Sequence, residues 1–327
     1  MKQPSRGPSG LLIVDKPVGP TSHDLVGKVR RALGTRKVGH AGTLDPAASG
    51  VLVVLVGEAT KLGPYLTSHA KRYTARIVFG LSTDTLDREG QPTATAEPPA
   101  WLREELMHVV EGGPAPLLGE ALAAETARAL QAPPAYSAIK VQGTPSYARA
   151  RAGEAVELAE RPVSVQAIAP LAADASAERP TLDLDLRVSK GYYVRSLARD
   201  LGERLGVPSH LGALRRTESG PFKIDQAVPL AGLGPGALIA LTDAARLGLS
   251  AATLTAAGVY KARCGQRLGE DDFEVPAPIG EPSAWLDAAG ELIAVGERSA
   301  EGLSILRGFG GSDQPENSAD PPLGEDG

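Results

Sequence analysis

The sequence predicts an α+β fold that ends in a small β-rich module. Three observations predict it: apolar runs of strand length bounded by turn residues, two amphipathic helices with recognisable ends, and short strand-like pieces over residues 250–309. The 327 residues, 42% of them apolar, are enough for one large domain with a small one, or for two mid-sized domains.

The N-terminal part of the chain begins with a strand and a helix. Residues 10–14 are a short apolar run that predicts a strand. The spacing of Thr21 and Asp24 is that of a capping box, which marks the start of a helix, and Gly34 is predicted to end it. The helix has a continuous apolar stripe made by Leu25, Val26, Val29 and Leu33.

Further elements follow in order. Residues 51–57 and 71–79 have strand patterns, residues 80–91 are rich in turn residues, and residues 101–112 give the clearest helical pattern in an Ala- and Pro-rich stretch. Residues 181–191 alternate apolar and polar side chains, which predicts a half-buried strand. Residues 192–206 change to helical spacing and stop at Gly206, and residues 232–240 are interpreted as a connection before the C-terminal module.

Composition excludes several classes of protein. A single cysteine, Cys264, excludes an internal disulfide framework and a cysteine cluster for zinc or an iron–sulfur centre. No apolar run approaches the ~20 residues of a membrane-spanning helix, and the first ten residues lack the apolar core of a signal peptide. We therefore expect a cytoplasmic protein that does not engage a membrane.

Charge is distributed unevenly along the chain. Residues 1–80 contain 12 Lys and Arg against 4 Asp and Glu, whereas residues 81–327 contain 22 against 35. This split predicts either a basic face that meets phosphates or a solvated basic surface, and charge alone does not choose between them. Residues 310–327 carry five acidic residues and no Lys or Arg, so they are predicted to be a disordered acidic tail.

Asp45 is an isolated acid in a basic stretch. It is the only acidic residue between Asp24 and Glu58, and Pro46 directly after it disfavours helical backbone. Spacing alone favours a turn aspartate that bonds its own backbone. A metal site is disfavoured because only His40 lies nearby, and residues 39–50 contain no Gly-Lys-Ser/Thr of a phosphate loop. A nucleophile is the remaining alternative.

Five blocks of the sequence together resemble a known family. They are residues 15–62 with GHAGTLDP, 71–90 with KRY, 131–153 with QAPPAYSAIK, 189–206 with SKGYYVR, and 210–222 with LGALRR. In this order they are similar to the TruB family of bacterial tRNA pseudouridine synthases. The resemblance implies a pseudouridine synthase fold, with a central mixed, mainly antiparallel sheet flanked by helices.

The resemblance also implies a domain organisation. The catalytic domain is expected over residues 8–246, with residues 92–130, which match poorly, forming a mobile RNA-gripping insertion. Residues 247–309 are expected to form a small PUA-like RNA-binding domain, followed by the tail. The implied activity is the isomerisation of uridine 55 in the T-arm loop of tRNA to pseudouridine. Because this reaction gains no atoms and exchanges no electrons, no cofactor and no metal are expected.

Family roles can be carried over to matching positions. The resemblance implies that Asp45 is the nucleophile, that Arg195 forms an ion pair with it, that Tyr73 packs on the target uracil and helps to remove its C5 proton, and that Tyr193 makes a polar contact in the site. Taken alone, Arg195 would be interpreted as an outward helix arginine, and each tyrosine as a partly buried one.

The remaining implied site residues bind the substrate. His40 is expected to fill the space left when the base leaves the loop stack, and Leu214 to wall the base pocket, although alone they would be a structural histidine and a core leucine. Lys16, Lys61 and Lys140 are candidate phosphate contacts, or else ordinary surface lysines.

The expected partner is the T-arm stem-loop of tRNA, bound by a monomer without an obligate protein partner. Two alternatives stay open. One is the guide-RNA-dependent synthase family of archaea and eukaryotes, which shares the Gly-His-x-Gly-Thr-Leu-Asp-Pro core. The other is a tRNA-binding folding factor in which catalysis is secondary. The short C-terminal module without a Lys/Arg-rich tail favours the stand-alone bacterial type over the first alternative.

Overall fold

The computed structural model describes residues 7–310. Residues 311–327 of the predicted acidic tail therefore lie outside the described residues. Within residues 7–310, no helix has both the length and the apolar character needed to cross a bilayer.

The helices and strands alternate irregularly along the chain. The α-helices of the described part are α1 (Ser22–Leu33), α2 (Gly63–Thr67), α3 (Ala100–Val109), α4 (Pro116–Thr126), α5 (Ser146–Arg151), α6 (Val194–Leu205), α7 (Leu241–Gly248) and α8 (Ala256–Arg263). The strands of its first half are β1 (Gly10–Lys16), β2 (Val38–His40), β3 (Ala48–Val56), β4 (Lys71–Phe79), β5 (Leu81–Thr83), β6 (Pro92–Thr95), β7 (Leu130–Gln131), β8 (Lys140–Val141), β9 (Thr144–Pro145) and β10 (Arg161–Pro162). Those of its second half are β11 (Val165–Asp174), β12 (Thr181–Val188), β13 (Ser209–Ser219), β14 (Phe222–Lys223), β15 (Ile239–Ala240), β16 (Ser250–Leu254), β17 (Phe273–Val275), β18 (Pro282–Leu286), β19 (Leu292–Ser299) and β20 (Gly302–Gly308).

A nine-stranded sheet forms the body of the molecule. Its main path runs β11-β12-β4-β13-β3-β1-β15, while β2 pairs with β3 and β14 with β13. Neighbouring strands are antiparallel except for β13 and β3, which are parallel. The sheet is thus mixed and mainly antiparallel, and with its flanking helices it confirms the predicted α+β fold.

Three hydrophobic cores cover this sheet. The α6 core packs α3, α4 and α6 on β4 and β12, whose alternating side chains include Ala75, Ile77, Leu182 and Leu184. The α1 core packs α1 on Leu12, Val14, Leu52 and Val54 of β1 and β3. The alternate residues of the same two strands, Leu11, Ile13, Val53 and Leu55, point into a third core. Tyr73 and Leu214 are partly buried against both the α6 core and the α1 core, so they lie where the two meet.

The third core joins the body to a second sheet. That sheet has the order β17-β16-β18-β19-β20 and contributes Ala284, Leu286, Leu292, Val295 and Phe309. We call this third core the shared core, because it also contains Leu66 of α2 and Ala244 and Ala245 of α7. The C-terminal sheet is therefore packed into the body over an apolar interface.

Local signals predicted the two main helices well. Thr21 caps α1, the reciprocal Thr21–Asp24 capping box is present, and Gly34 ends the helix in the left-handed conformation. Helix α6 begins at Val194, immediately after Tyr193, and ends at Gly206, also left-handed. Helix α1 buries its predicted apolar stripe, and α6 buries Val194, Leu197, Ala198 and Leu201.

Other elements differ from prediction. Strand β3 begins at Ala48, three residues before the predicted run at 51, because Ala48 to Gly50 pair with β13. The C-terminal module contains α8 where only strands were predicted. In the segment 92–130, α3 and α4 bury Leu102, Leu106 and Leu118 in the α6 core. Mobility of this segment remains a prediction.

Candidate active site

Asp45 lies in the connection from β2 to β3, residues 41–47, which we call the Asp45 loop. Its backbone is held by side chains that come from distant parts of the chain. Ser22, at the start of α1 and buried, donates its hydroxyl to the Leu44 carbonyl (3.0 Å) and accepts from the Leu44 N–H (2.9 Å). The capping box of α1 therefore places the residue that fixes the middle of the loop.

Lys16 holds the end of the same loop. Its ammonium at the end of β1 donates to the carbonyls of Ala48 (2.6 Å), Pro17 (2.9 Å) and Pro46 (3.4 Å), and the residue is 0% exposed. Burial lowers the pKa of Lys16 to about 8, against the opposing attraction of Asp45. The prediction that Lys16 contacts phosphates does not fit this position and is corrected: the buried ammonium is used inside the fold.

Arg195 pairs with Asp45 across the site. Its Nε lies 2.9 Å from the Asp45 carboxylate, and its two terminal nitrogens donate to the carbonyls of Thr85 (3.1 Å) and Tyr136 (2.9 Å). The Arg195 side chain is only 7% exposed, whereas that of Asp45 is 40% exposed. Arg195 thus does not point outward as its helix position alone suggested, and Asp45 remains open on one side.

Asp87 is a second carboxylate that the sequence did not single out. It is 7% exposed, lies 3.9 Å from Arg195 Nε, and accepts from the Thr85 hydroxyl (2.7 Å) and the Glu89 N–H (3.0 Å). The preceding Leu86 has a positive φ of 64°, a strained conformation for leucine that turns the chain here. The only signal in the sequence was that Asp87 lies inside the matched block 71–90.

These groups surround a cleft that opens to solvent. It is lined by Asp45, Ala47, Ala48, Asp87, Arg195, Leu211, Gly212, Ala213 and Leu214. Apolar walls next to a carboxylate held by a buried arginine suit a flat, partly polar ring such as a nucleobase. Leu214, which the resemblance placed in a base pocket, lines the same cleft as Asp45.

Tyr193 adjoins this cleft at the start of α6. Its backbone is held on both sides by Gln131, which is 1% exposed: the Gln131 amide donates to Tyr193 O (3.2 Å) and accepts from Tyr193 N–H (2.8 Å). Burial raises the pKa of Tyr193, and Arg195 and Asp45 are near enough to influence it. Its phenol is therefore protonated at neutral pH and close to the ion pair.

Tyr73 and His40 lie on separate strands of the main sheet, since β13 and β3 stand between β4 and β2. Tyr73 on β4 pairs in register with Arg216 of β13 and is half-buried. His40 on β2 pairs with Val54, and its Nδ1 is buried without a hydrogen-bond partner among the residues described. Burial, followed by the charges of Arg216 and His23, lowers the pKa of His40, so its ring is neutral at neutral pH.

Neither of the two remaining lysines lines the cleft. Lys61 pairs with Glu58 (2.7 Å), donates to Gly308 O (3.2 Å) and stands 5.5 Å from the centre of the Phe309 ring, so it ties the body to β20. Lys140 is exposed on the β8–β9 hairpin. The structure thus brings Asp45, Arg195 and Leu214 to one cleft with Tyr193 beside it, and neither Lys61 nor Lys140 is among the residues that line this cleft.

Two family models match the chain. The N-terminal domain of the TruB family of pseudouridylate synthases matches residues 30–194, and the tRNA pseudouridylate synthase B C-terminal domain matches residues 195–245. The boundary between them falls beside Arg195, so the two models contribute opposite sides of the Asp45–Arg195 pair.

Curated relatives named tRNA pseudouridine synthase B extend over most of the chain. That of Leifsonia xyli subsp. xyli is 45% identical over 302 residues, which cover 91% of this chain and 96% of that protein. That of Cutibacterium acnes is 42% identical over 290 residues, which cover 88% of this chain and 92% of that protein.

Solved structures with the same fold come from H/ACA complexes. A chain in the crystal structure of the archaeal box H/ACA sRNP Nop10–Cbf5 complex is 23% identical, with a TM-score of 0.64 over 94% of this chain and 88% of that chain. A chain in the structure of an H/ACA RNP bound to a substrate RNA containing 2'-deoxyuridine is 22% identical, with a TM-score of 0.62, covering 93% and 86%. At this identity the likeness shows a shared fold.

Proposed function

Because the chain belongs to the TruB family of tRNA pseudouridine synthases, an isomerase family, we propose that it converts uridine 55 in the T-arm loop of tRNA to pseudouridine with Asp45 as the nucleophile. The observation that carries this proposal is the Asp45–Arg195 pair at 2.9 Å in the open cleft. A purely structural ion pair has no need of an accessible carboxylate on one side and a buried guanidinium, bonded at each of its three nitrogens, on the other.

The reaction rearranges bonds within one nucleotide. The N1–C1′ glycosidic bond breaks, the uracil turns, C5 bonds to C1′, the proton on C5 leaves to solvent, and N1 takes up a proton. An ionised carboxylate can start this sequence by attacking the nucleotide, and it is released when the new bond is complete. Arg195, whose three bonds fix its position, holds Asp45 for that attack without itself reacting.

Neighbouring groups supply the other roles. Leu214 packs against the uracil in the cleft, and Tyr73, at the junction of the α6 and α1 cores, stacks on it and takes part in removal of the C5 proton. Tyr193, held protonated by burial, donates a hydrogen bond in the site. The target base must leave the loop stack to reach Asp45, and neutral His40 fills the space that it vacates.

Binding is proposed to depend on RNA shape and phosphate charge. A folded T-arm loop offers unstacked bases, which are the usual targets of specific RNA recognition. Lys61 and Lys140 are proposed phosphate contacts, and the β-rich module at 247–309 is proposed to be a PUA-like RNA-binding domain. Binding of tRNA should weaken as the salt concentration rises. We propose that the enzyme acts as a cytoplasmic monomer.

Release of tritium from C5-labelled tRNA tests the proposal. Asp45→Asn should lower the initial rate of release by at least about 10³-fold, because an amide is not a nucleophile of comparable strength, while tRNA binding persists. The matched control is Asp15→Asn, which removes a partly exposed carboxylate whose partner is Arg215 (2.8 Å). It should retain activity.

Two results would contradict the proposal. Release by Asp45→Asn at the wild-type rate would remove Asp45 from the mechanism. Release from a tRNA in which uridine 55 is replaced by guanosine, at the rate of the unaltered tRNA, would show that the site of modification lies elsewhere.

A further inference from the structure

Arg216 is a buried cation without an acidic partner. It is 1% exposed, and among the described residues no carboxylate lies within 4 Å of its guanidinium. An arginine removed from water without a counter-charge is costly unless its donors are satisfied in another way. The bonds that satisfy this guanidinium therefore indicate what it does.

The guanidinium makes three hydrogen bonds, all to backbone carbonyls that bracket Asp45. Nε donates to Val51 O (2.7 Å), Nη2 to Gly42 O (3.0 Å) and Nη1 to Thr43 O (3.2 Å). The first acceptor lies on β3 after the Asp45 loop, and the other two lie at its beginning. Because the guanidinium is a rigid planar fork, three simultaneous bonds fix the separation between the two ends of the loop.

The backbone of Arg216 is itself placed by close packing. It pairs with Gly50 of β3 and with Tyr73 of β4, and a β-bulge follows between positions 216 and 218. Gly50 has φ +103°, and a Cβ there would lie 2.1 Å from the Arg216 carbonyl oxygen, so only glycine permits this approach. One residue thus connects the end of the Asp45 loop with the strand that carries Tyr73.

We propose that Arg216 is a positioning residue, whose guanidinium holds the backbone of the Asp45 loop so that the carboxylate points into the cleft. Arg195 holds the carboxylate itself. Ser22 holds the middle of the loop, Lys16 holds its end, and Arg216 holds its two ends together. At 1% exposure Arg216 makes no contact with RNA. The inference rests on the proposed role of Asp45, since an aligned carboxylate matters only if that carboxylate reacts.

This role is tested by measuring the catalytic rate and the tRNA affinity of the same variant separately. In Arg216→Gln the single-turnover rate of tritium release, at saturating enzyme, should fall by about 10- to 100-fold, because a displacement of about 1 Å at a reacting group costs that much. The tRNA Kd from filter binding should stay within about threefold. Arg216→Lys should recover part of the rate, since its ammonium can still reach one or two of the carbonyls.

The matched control removes an arginine of the same sheet. Arg76 on β4 is exposed and donates from Nε and Nη2 to the two carboxylate oxygens of Asp183 (2.7 Å each). It lies on the face opposite to Ala75 and Ile77, which pack in the α6 core. Arg76→Gln should leave rate and Kd unchanged within about twofold.

Each other result overturns the inference. An unchanged single-turnover rate in folded Arg216→Gln would show that the loop keeps its shape without the guanidinium. Equal losses of rate and affinity would assign Arg216 to RNA binding. If circular dichroism shows that neither Arg216→Gln nor Arg216→Lys folds, Arg216 serves stability alone. Failure of the proposed function would be detected separately, because Asp45→Asn would then be fully active.

Discussion

Lys71 shows at the scale of one residue what burial does to a cation beside this site. It begins β4, is 6% exposed, and donates its ammonium to the carbonyls of Thr67 and His69. Burial, together with the positive charges of Arg216 and Lys190, lowers its pKa to about 7. The unfolded chain, where lysine titrates near its ordinary value of about 10.4, therefore binds this proton more tightly than the folded protein.

This difference predicts a pH-dependent stability. Between about pH 7 and pH 10.4 the unfolded state carries the extra proton, so the contribution of Lys71 to the free energy of unfolding rises with pH. Between pH 7.5 and 9.5, the free energy of unfolding of the wild type, measured with urea, should rise by about 2 kcal/mol relative to that of Lys71→Met. Lys28→Met, on the outer part of α1, serves as the control. Its free energy of unfolding should differ from that of the wild type by the same amount at every pH. A constant difference for Lys71→Met would contradict the prediction.

At the same scale, sequence reasoning found Asp45 and missed Asp87. Asp45 stood out as a lone acid among basic residues, and a family resemblance gave it a role. Asp87 lies among other acids and turn residues, and nothing local marks it. Its position beside Arg195 depends on a contact between residues more than 100 positions apart in the chain.

At the scale of an element, helix α4 depends on a neighbour for its start. Ala115 at its N-cap makes no side-chain hydrogen bond, and Pro116 follows. The buried carboxylate of Glu105 in α3 accepts instead from the N–H groups of Leu117 (3.1 Å) and Leu118 (2.7 Å). A negative charge at this end also interacts favourably with the helix dipole. One residue of α3 therefore replaces the local cap of α4.

Removing this carboxylate should destabilise the protein measurably. Glu105→Ala should lower the free energy of unfolding by about 1–3 kcal/mol, because two N–H groups lose their acceptor in a buried position. The control is Glu104→Ala, which removes an exposed carboxylate from the same helix. It should change stability by less than about 0.5 kcal/mol. Equal urea midpoints for the two variants would show that Glu105 does not act as a cap.

Elements were predictable wherever a local pattern was complete. The capping box of Thr21 and the glycine ends of α1 and α6 involve residues a few positions apart, so the sequence displays them directly. Helix α4 lacks such a signal because its cap comes from another helix. Helix α8 was missed because its short Ala- and Gly-containing stretch lies among strands.

At the scale of the whole molecule, the shared core joins two sheets. Phe309 of the C-terminal part is 2% exposed and packs with residues of β1, β3 and α7, while Lys61 of the body stands over its ring. Unfolding either sheet alone would expose apolar side chains of the other. We therefore expect the sheets to unfold together.

The two tryptophans of the chain allow this to be measured. Trp101→Phe leaves Trp285, fully buried in the C-terminal sheet, as the only tryptophan. Its fluorescence and the far-UV circular dichroism of the whole chain should give the same urea midpoint. Adding Phe309→Ala should reduce the free energy of unfolding by about 3–5 kcal/mol, and it should therefore lower both midpoints together. Loss of Trp285 fluorescence at lower urea, with most of the circular dichroism retained, would show independent units.

The sequence by itself determined the elements whose signals are local. Alternation over residues 181–191 predicted β12 and its buried face, and caps predicted α1 and α6, because a strand or helix repeats its apolar pattern over a few residues. The family resemblance added the identities of Asp45, Arg195, Tyr73 and Tyr193.

Only the tertiary structure decided which polar groups meet. The parallel pairing of β13 with β3 joins segments more than 160 residues apart, and it brings Arg216 and Leu214 to the Asp45 loop. The structure also showed that Lys16, which the family resemblance made a candidate phosphate contact, is buried and bonds the end of that loop. Local periodicity reports which face of an element is apolar, but the charged partners in a site are set by the order of strands in the sheet.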